Sequence, residues 1–286
     1  MSANLVVVKH NDLVRAAQNM TLIENRIILT CVGQINSKSK LSENDQFSIH
    51  VKELEQLMKV DHLDYDDLKS AAERIAERWI VFLEPSSRLK TIESRIRWVY
   101  RIAYLPKEGK VTLSFSPPVI PFLSELSENF TQYKIENVLN FRSTYSFRFY
   151  ELFKSWMQSE KVLTIEWIKE YFLLGDSYTR TNNFQDRVIK PAIEEINKYS
   201  DLRVSYEPIK EGRKIVAFKF VFMCISEKKS KPKLFSKERI DGVLKADLEK
   251  YAKPGESYSQ AATRIKAEQL ILEKNGKPTT IDIVWR

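Results

Sequence analysis

The spacing of apolar side chains predicts the same succession of elements twice along the chain. After residue 47 a short extended piece, Phe47-Ser48-Ile49, leads into helical spacing at Leu54 and Leu57, and a further helix buries Leu68, Ala71, Ala72 and Ile75. After residue 163, Leu163-Thr164-Ile165 leads to Ile168 and Phe172, and a later helix buries Ile189, Ala192, Ile193 and Ile196. These two later helices share a frame: Lys69-Ser70-Ala71-Ala72-Glu73-Arg74-Ile75 and Lys190-Pro191-Ala192-Ile193-Glu194-Glu195-Ile196 both read Lys-x-Ala-x-Glu-x-Ile. Each is followed by a hairpin pattern. The first runs from Arg97 to Tyr104, turns over Pro106 to Lys110 and returns from Val111 to Phe115; the second runs from Leu202 to Tyr206, turns over Pro208 to Lys214 and returns from Ile215 to Val221. Pro and Gly bracket both turns, because Pro cannot continue a paired strand and Gly accepts the positive backbone angle of a tight reversal.

A helix precedes each unit. Thr21-Leu22-Ile23-Glu24 has the form of a capping box ahead of the apolar run Ile27 to Val32. Tyr145, Phe149, Leu152, Phe153 and Trp156 recur at helical spacing and read as one buried stripe. Helix, short strand, helix, helix and basic hairpin is the element order of a winged helix. The predicted fold is therefore α+β, with two tandem winged-helix domains over residues 1–130 and 131–226 and a short, mainly helical C-terminal tail over 227–286. The tail opens with the basic linker Lys228-Lys229-Ser230-Lys231-Pro232-Lys233; Ile240, Val243, Leu244 and Leu248 predict one helix, and Ala261, Ile265, Ala267, Leu270 and Ile271 another, separated by Lys253-Pro254-Gly255.

In such a module the third helix fits the major groove of DNA and the wing reaches neighbouring phosphates. In the second copy Asn182 to Gln185 are expected to cap that helix, and Pro191 to kink it or mark its real start. Asn183, Arg187, Lys190, Glu194 and Lys198 fall on the exposed face. Asn and Arg bond adenine and guanine edges in bidentate fashion, so Asn183 and Arg187 are the candidate base readers. Tyr178, Thr179 and Arg180 in the preceding loop, Lys190 and Lys198 on the helix, and Lys210, Arg213 and Lys214 on the wing are candidate phosphate contacts. Carrying the frame to the first copy puts Asp66 where Arg187 stands and His62 where Asn183 stands. An aspartate is repelled by phosphate, so the first domain is expected to offer only Lys69, Arg74, Arg78 and wing residues Lys107 and Lys110, for backbone contacts, and to hold the dimer surface.

Charge and composition fit this picture. The 286 residues carry a formal net charge of +8, which suits a polyanion partner, and 43% hydrophobic content supplies two cores. Cys31 and Cys224 stand far apart with no metal-ligand spacing, so neither zinc nor a disulfide is expected, and both are read as buried free thiols. No cofactor is indicated. Without a basic-apolar leader or an apolar run of membrane length, the chain is expected to be cytoplasmic with no membrane partner. His10, His50 and His62 do not form the His-hydrophobe-His pair of DNA-nicking enzymes, and seven scattered glycines build no phosphate loop, so no catalytic residue is assigned.

Three stretches carry a family resemblance: Val7 to Ala16 followed by Asn25-Arg26-Ile27-Ile28-Leu29; Arg142 to Phe153; and Arg187 to Asn197 with its wing from Tyr206 to Phe220. Over about residues 5–225 the chain resembles the initiator replication proteins of iteron-containing, theta-replicating bacterial plasmids. The resemblance implies two winged-helix domains that bind repeated double-stranded origin sequences as monomers, melt the adjacent duplex with the host initiator protein and recruit the host replicative helicase. It further implies a homodimer in equilibrium with the monomer, binding an operator inverted repeat to repress its own gene, with the stronger sequence reader in the C-terminal domain. A winged-helix transcriptional regulator without a replication role is the alternative, since both need the same helix and wing.

Overall fold

The computed structural model describes residues 5–58, 62–85, 91–156, 159–225, 239–241, 243–244 and 258–274. The chain begins with β1 (Val6–His10), α1 (Asn11–Arg15), β2 (Ala17–Gln18) and α2 (Leu22–Val32). The expected capping box forms: the Glu24 amide donates to Thr21 Oγ1 at 3.4 Å and the Thr21 amide donates to Glu24 Oε2 at 3.0 Å. Next come β3 (Phe47–His50), α3 (Val51–Met58), α4 (Tyr65–Glu77), β4 (Trp79–Pro85), β5 (Thr91–Arg97), β6 (Val99–Leu105), β7 (Lys110–Phe115) and β8 (Phe130–Lys134). Strand β7 pairs with both β3 and β6, and β8 returns to pair with β1. On α4, Leu68, Ala71, Ala72 and Ile75 are wholly buried, as their spacing predicts.

The second module follows the same plan. Helix α5 (Thr144–Lys154) precedes β9 (Glu160–Thr164), α6 (Ile165–Tyr171), α7 (Thr181–Phe184), a π turn over Gln185–Ile189, α8 (Lys190–Tyr199), β10 (Leu202–Glu211) and β11 (Lys214–Cys224). The sheet order is β10-β11-β9, against β3-β7-β6 in the first module. In both, the strand ahead of the helices pairs with the second strand of the hairpin, so the chain holds two winged-helix modules of like topology.

Several local expectations are corrected. The first module carries an extra hairpin, β4–β5, between its third helix and its wing; Arg97 ends this hairpin, with its guanidinium 3.6 Å from the Trp79 ring centroid, instead of opening the wing. The second wing is longer than the Pro and Gly positions suggest. Pairing runs through Pro208, opposite Phe218, to Glu211 opposite Lys214, leaving only Gly212 and Arg213 in the turn, where Gly212 takes φ 61°. Pro208 is tolerated because β10 is an edge strand, where a missing N–H breaks no interior pairing.

Helix α5 is buried on every side over Ser146–Phe153, not on one stripe. Phe149 and Phe153 pack on Phe220, 5.8 and 5.3 Å between ring centroids, inside the second module. Its other face lies against β8 and α1 of the first, and Glu151 is ion-paired with Lys9 on β1. Cys31 is buried, and burial raises its thiol pKa, but Cys224 is exposed where β11 outruns β9.

Residues 1–225 form one unit and residues 226–286 another. Within the second unit Ile240 and Val243 are paired across the two short strands β12 (Arg239–Ile240) and β13 (Val243–Leu244), which corrects the helix expected there. Helix α9 (Tyr258–Lys274) forms as predicted and buries Ala261 and Ile265, while Ala267 is exposed. Leu248, the linker Lys228 to Lys233 and Lys253-Pro254-Gly255 lie outside the described residues. Among the described residues no helix is long and apolar enough to cross a membrane, and no group of three or more His, Cys, Asp and Glu could hold a metal ion.

Candidate nucleic-acid interface

The third helix of the second module is one continuous rod made of α7, the π turn and α8. Its buried stripe is Phe184, Val188, Ile189, Ala192, Ile193 and Ile196. Asn183, Arg187, Lys190, Glu194 and Lys198 are all exposed on the opposite side. The rod starts at Thr181 rather than at the expected Asn182 cap, and Arg180 at its N-cap makes no side-chain capping bond. Pro191 neither starts nor breaks it. Pro lacks an N–H and its ring crowds the carbonyl four residues back, that of Arg187; the backbone relieves this by widening, with the Lys190 amide donating to the Gln185 carbonyl five residues back. Arg187 sits within that widened turn. A turn closed this way holds one residue more than an α turn, so Arg187 falls between Asp66 and Asp67 of the first copy, and Asn183 lies opposite a residue before α4 begins.

The loop ahead of the rod is held in an unusual shape. Tyr178 takes φ 58°, a left-handed conformation costly for a residue with a side chain, and packs edge-on against Phe184 at 5.9 Å. Tyr145 is hydrogen-bonded to Tyr178; burial and then that bond raise the Tyr145 pKa. Thr179 and Arg180 are left exposed. Tyr145, Leu174, Ser177, Tyr178, Thr179, Asn183 and Arg187 line an open hollow of about 560 Å³, which brings two of the loop candidates, Tyr178 and Thr179, together with both base-reading candidates; Arg180 is not in its lining.

The wing stands beside this face. Lys210, Arg213 and Lys214 are exposed around the Gly212 turn. Gln185 Nε2 donates to Tyr206 on β10 at 3.4 Å, and Asn197 bonds both the amide and the carbonyl of Val204 at 2.7 and 2.8 Å, which fixes the wing against the rod.

The first module is different. Arg74 and Arg78, expected at phosphates, both donate to the fully buried Glu24 carboxylate, Nε to Oε distances being 2.8 Å in each case. Burial acts to raise the Glu24 pKa, but the bonds from Arg78, the Thr21 amide and Arg74 outweigh it and hold the carboxyl below its ordinary value. Lys69 lies 4.0 Å from Glu73 and 5.8 Å from the Tyr104 ring centroid. Lys107 is exposed at the wing tip, and Lys110 is ion-paired with Glu108 at 2.5 Å. Among the described residues, the rod and wing of the second module are thus a stretch where basic and amide side chains converge with open solvent before them.

Known proteins match this layout. Residues 6–154 fit the model of the family described as "Initiator Replication protein, WH1", and residues 164–222 fit that of "Initiator Rep protein, WH2". The chain belongs to the Rep3 initiator replication family. Its members are non-enzymatic DNA-binding proteins, and this initiator is similar to a "Replication initiation protein" of Escherichia coli, 24% identical over 220 residues, covering 74% of this chain and 67% of the relative. A second E. coli relative, "PI protein", is 26% identical over 250 residues, covering 74% and 81%. Among solved structures, "Pi initiator protein in complex with iteron DNA" superposes with a TM-score of 0.66 at 24% identity, covering 78% of this initiator and 99% of that chain, which establishes the shared fold.

Sequence reasoning passed over some of the initiator's surface. The spacing of Tyr145 places it in a core stripe, yet its half-buried side chain also lines the hollow. Ser177, next to the candidates Tyr178 and Thr179, was recognisable from that adjacency alone. Gln185 and Asn197, which join rod to wing, carry no local signal because their partners are set by tertiary pairing.

Proposed function

We propose that this initiator binds the repeated sequences of a plasmid origin as a monomer through residues 131–226, opens the adjacent duplex with the host initiator protein, and recruits the host replicative helicase. As a dimer, through residues 1–130, it binds an inverted repeat and represses its own gene, acting in the bacterial cytoplasm. The observation that carries the reading is the exposed row of Asn183, Arg187, Lys190 and Lys198 on a groove-sized helix, with Lys210, Arg213 and Lys214 on the wing beside it. Asn183 and Arg187 read base edges, at about 1–3 kcal/mol of discrimination for each well-formed bidentate pair. Tyr178, Thr179, Arg180, Lys190, Lys198 and the wing cations take phosphates and set the register.

Lys69, Lys107 and Lys110 of the first module add backbone contacts. Arg74 and Arg78 contribute weakly, because the Glu24 carboxylate neutralises one of their two charges. The related Pi initiator protein, solved in complex with iteron DNA, supports a repeat sequence as the target.

The deciding experiment is maintenance in a bacterial host of a plasmid carrying only this gene and its flanking repeats. Stable inheritance is expected, with loss on Arg187→Ala. Failure of maintenance alongside intact operator binding would favour a transcriptional regulator instead.

A further inference from the structure

The two modules meet on α5 through buried charges that no DNA-facing role explains. Glu151, 1% exposed, is ion-paired with Lys9 on β1 and accepts a hydrogen bond from the Tyr133 hydroxyl on β8. Arg148, one turn earlier, is 2% exposed, donates to the carbonyls of Val14 at 3.2 Å and Ala16 at 2.7 Å, and lies 3.7 Å from Glu151. Its guanidinium is 4.3 Å from the ring centroid of Tyr171 on α6, and the Tyr171 hydroxyl donates to the same Val14 carbonyl at 2.9 Å. The Val14 carbonyl therefore receives donors from both α5 and α6.

The ends of α5 are tied as well. Thr144 Oγ1 donates to the Met20 carbonyl at 2.8 Å and accepts from Asn25 at 3.1 Å, while Arg15 donates to the Ser155 carbonyl at 2.7 Å. On the far side Glu195 of α8 accepts from the amides of Arg142 and Ser143, at 3.1 and 3.3 Å, and from Ser146 Oγ at 2.6 Å. An unbroken series of directional bonds thus runs from the first module through α5 to the rod bearing Arg187. Apolar packing alone tolerates small slides and rotations. A buried carboxylate between an ammonium and a phenol does not, since any shift leaves a charge uncompensated.

We propose that Lys9, Arg148, Glu151 and Tyr171 are positioning residues that set the spacing of the DNA target. They hold α5 at one angle to the first module and so fix the number of base pairs between the segment read by α7–α8 and the segment touched by the first module, without touching DNA themselves. The inference rests on the proposed function in requiring both modules to engage one duplex. One added base pair displaces a contacted segment by roughly 3.4 Å and turns it by about 35°, so a rigid pair of modules resolves single-base-pair differences.

The test uses the full chain. A target is first selected from a random DNA pool, and competition binding then compares it with versions lengthened or shortened by one base pair between the two contacted segments. The wild type is expected to reject the altered spacings by about tenfold or more, comparable to a mismatched position. Lys9→Met combined with Glu151→Gln removes the charge pair together and is expected to reduce that rejection to within about threefold, while binding to a duplex holding only the segment read by α7–α8 stays unchanged. Circular dichroism melting checks that the variant folds. Tyr171→Phe, which deletes a single hydroxyl, provides a milder second variant with partial relaxation expected. Unchanged spacing rejection in a folded variant, or equal tolerance by wild type and variant, overturns the spacing role alone; failure of the wild type to select any sequence overturns the proposed function and the spacing role with it.

Discussion

Helix α4 and the rod formed by α7, the π turn and α8 hold the same place in their modules, yet their N-termini are furnished in opposite ways. Asp64 caps α4, accepting from the Asp67 amide at 2.8 Å, and Asp66 and Asp67 place further negative charge on the first turn. This arrangement complements the helix dipole and stabilises the helix from within. The rod has no side-chain cap, and beside Asp186 it presents Asn183 and Arg187 to solvent, whereas the exposed residues in the first turn of α4 are the carboxylates Asp66 and Asp67. One duplicated helix satisfies its own terminus, whereas the other leaves donors for a partner. The shared buried stripe explains why both can belong to one fold, since the core constrains only the inward face.

The most severe way to test that equivalence is at the core. Ile75→Ala and Ile196→Ala empty corresponding sites that are both 0% exposed, and each is expected to cost about 2–5 kcal/mol in urea unfolding. A large effect at one site only would show that the modules are not equivalent in packing. Next in size is the difference in reading. Arg187→Ala should lose about 1–3 kcal/mol of preference for the target over random DNA in competition binding, and Asp66→Ala should leave that preference unaltered. Equal losses would dissolve the contrast between the copies. The smallest effect concerns the wings. Lys214→Ala should weaken all DNA alike and lower the slope of log affinity against log salt by about one contact. Lys110→Ala, whose ammonium is already paired with Glu108, should change the slope less.

Much of the fold was legible because its signals are local. The Thr21–Glu24 capping box, the stripe from Leu68 to Ile75 and the Gly109 and Gly212 turns each depend on residues within a few positions of one another. The β4–β5 hairpin escaped because Trp79-Ile80-Val81-Phe82-Leu83 is an unbroken apolar run without the polar alternation of a half-exposed strand. Arg74 and Arg78 read as an exposed basic face because their partner Glu24 lies 50 and 54 residues earlier. Sequence periodicity carries no information about such distant pairings. At the candidate interface, the outward face of the rod was legible from spacing alone. The hollow beside it was not, because it depends on the left-handed backbone at Tyr178 and on a tyrosine from α5.

The widened turn before Pro191 gives the rod a property that a straight helix lacks. The extra residue rotates the upstream backbone by a fraction of a turn, and with that rotation Phe184 and Val188 share one buried seam with Ala192 and Ile196 while Asn183 and Arg187 face outward. The widened turn therefore acts as a fixed angular offset, built into the backbone, that sets the direction in which Asn183 and Arg187 leave the fold.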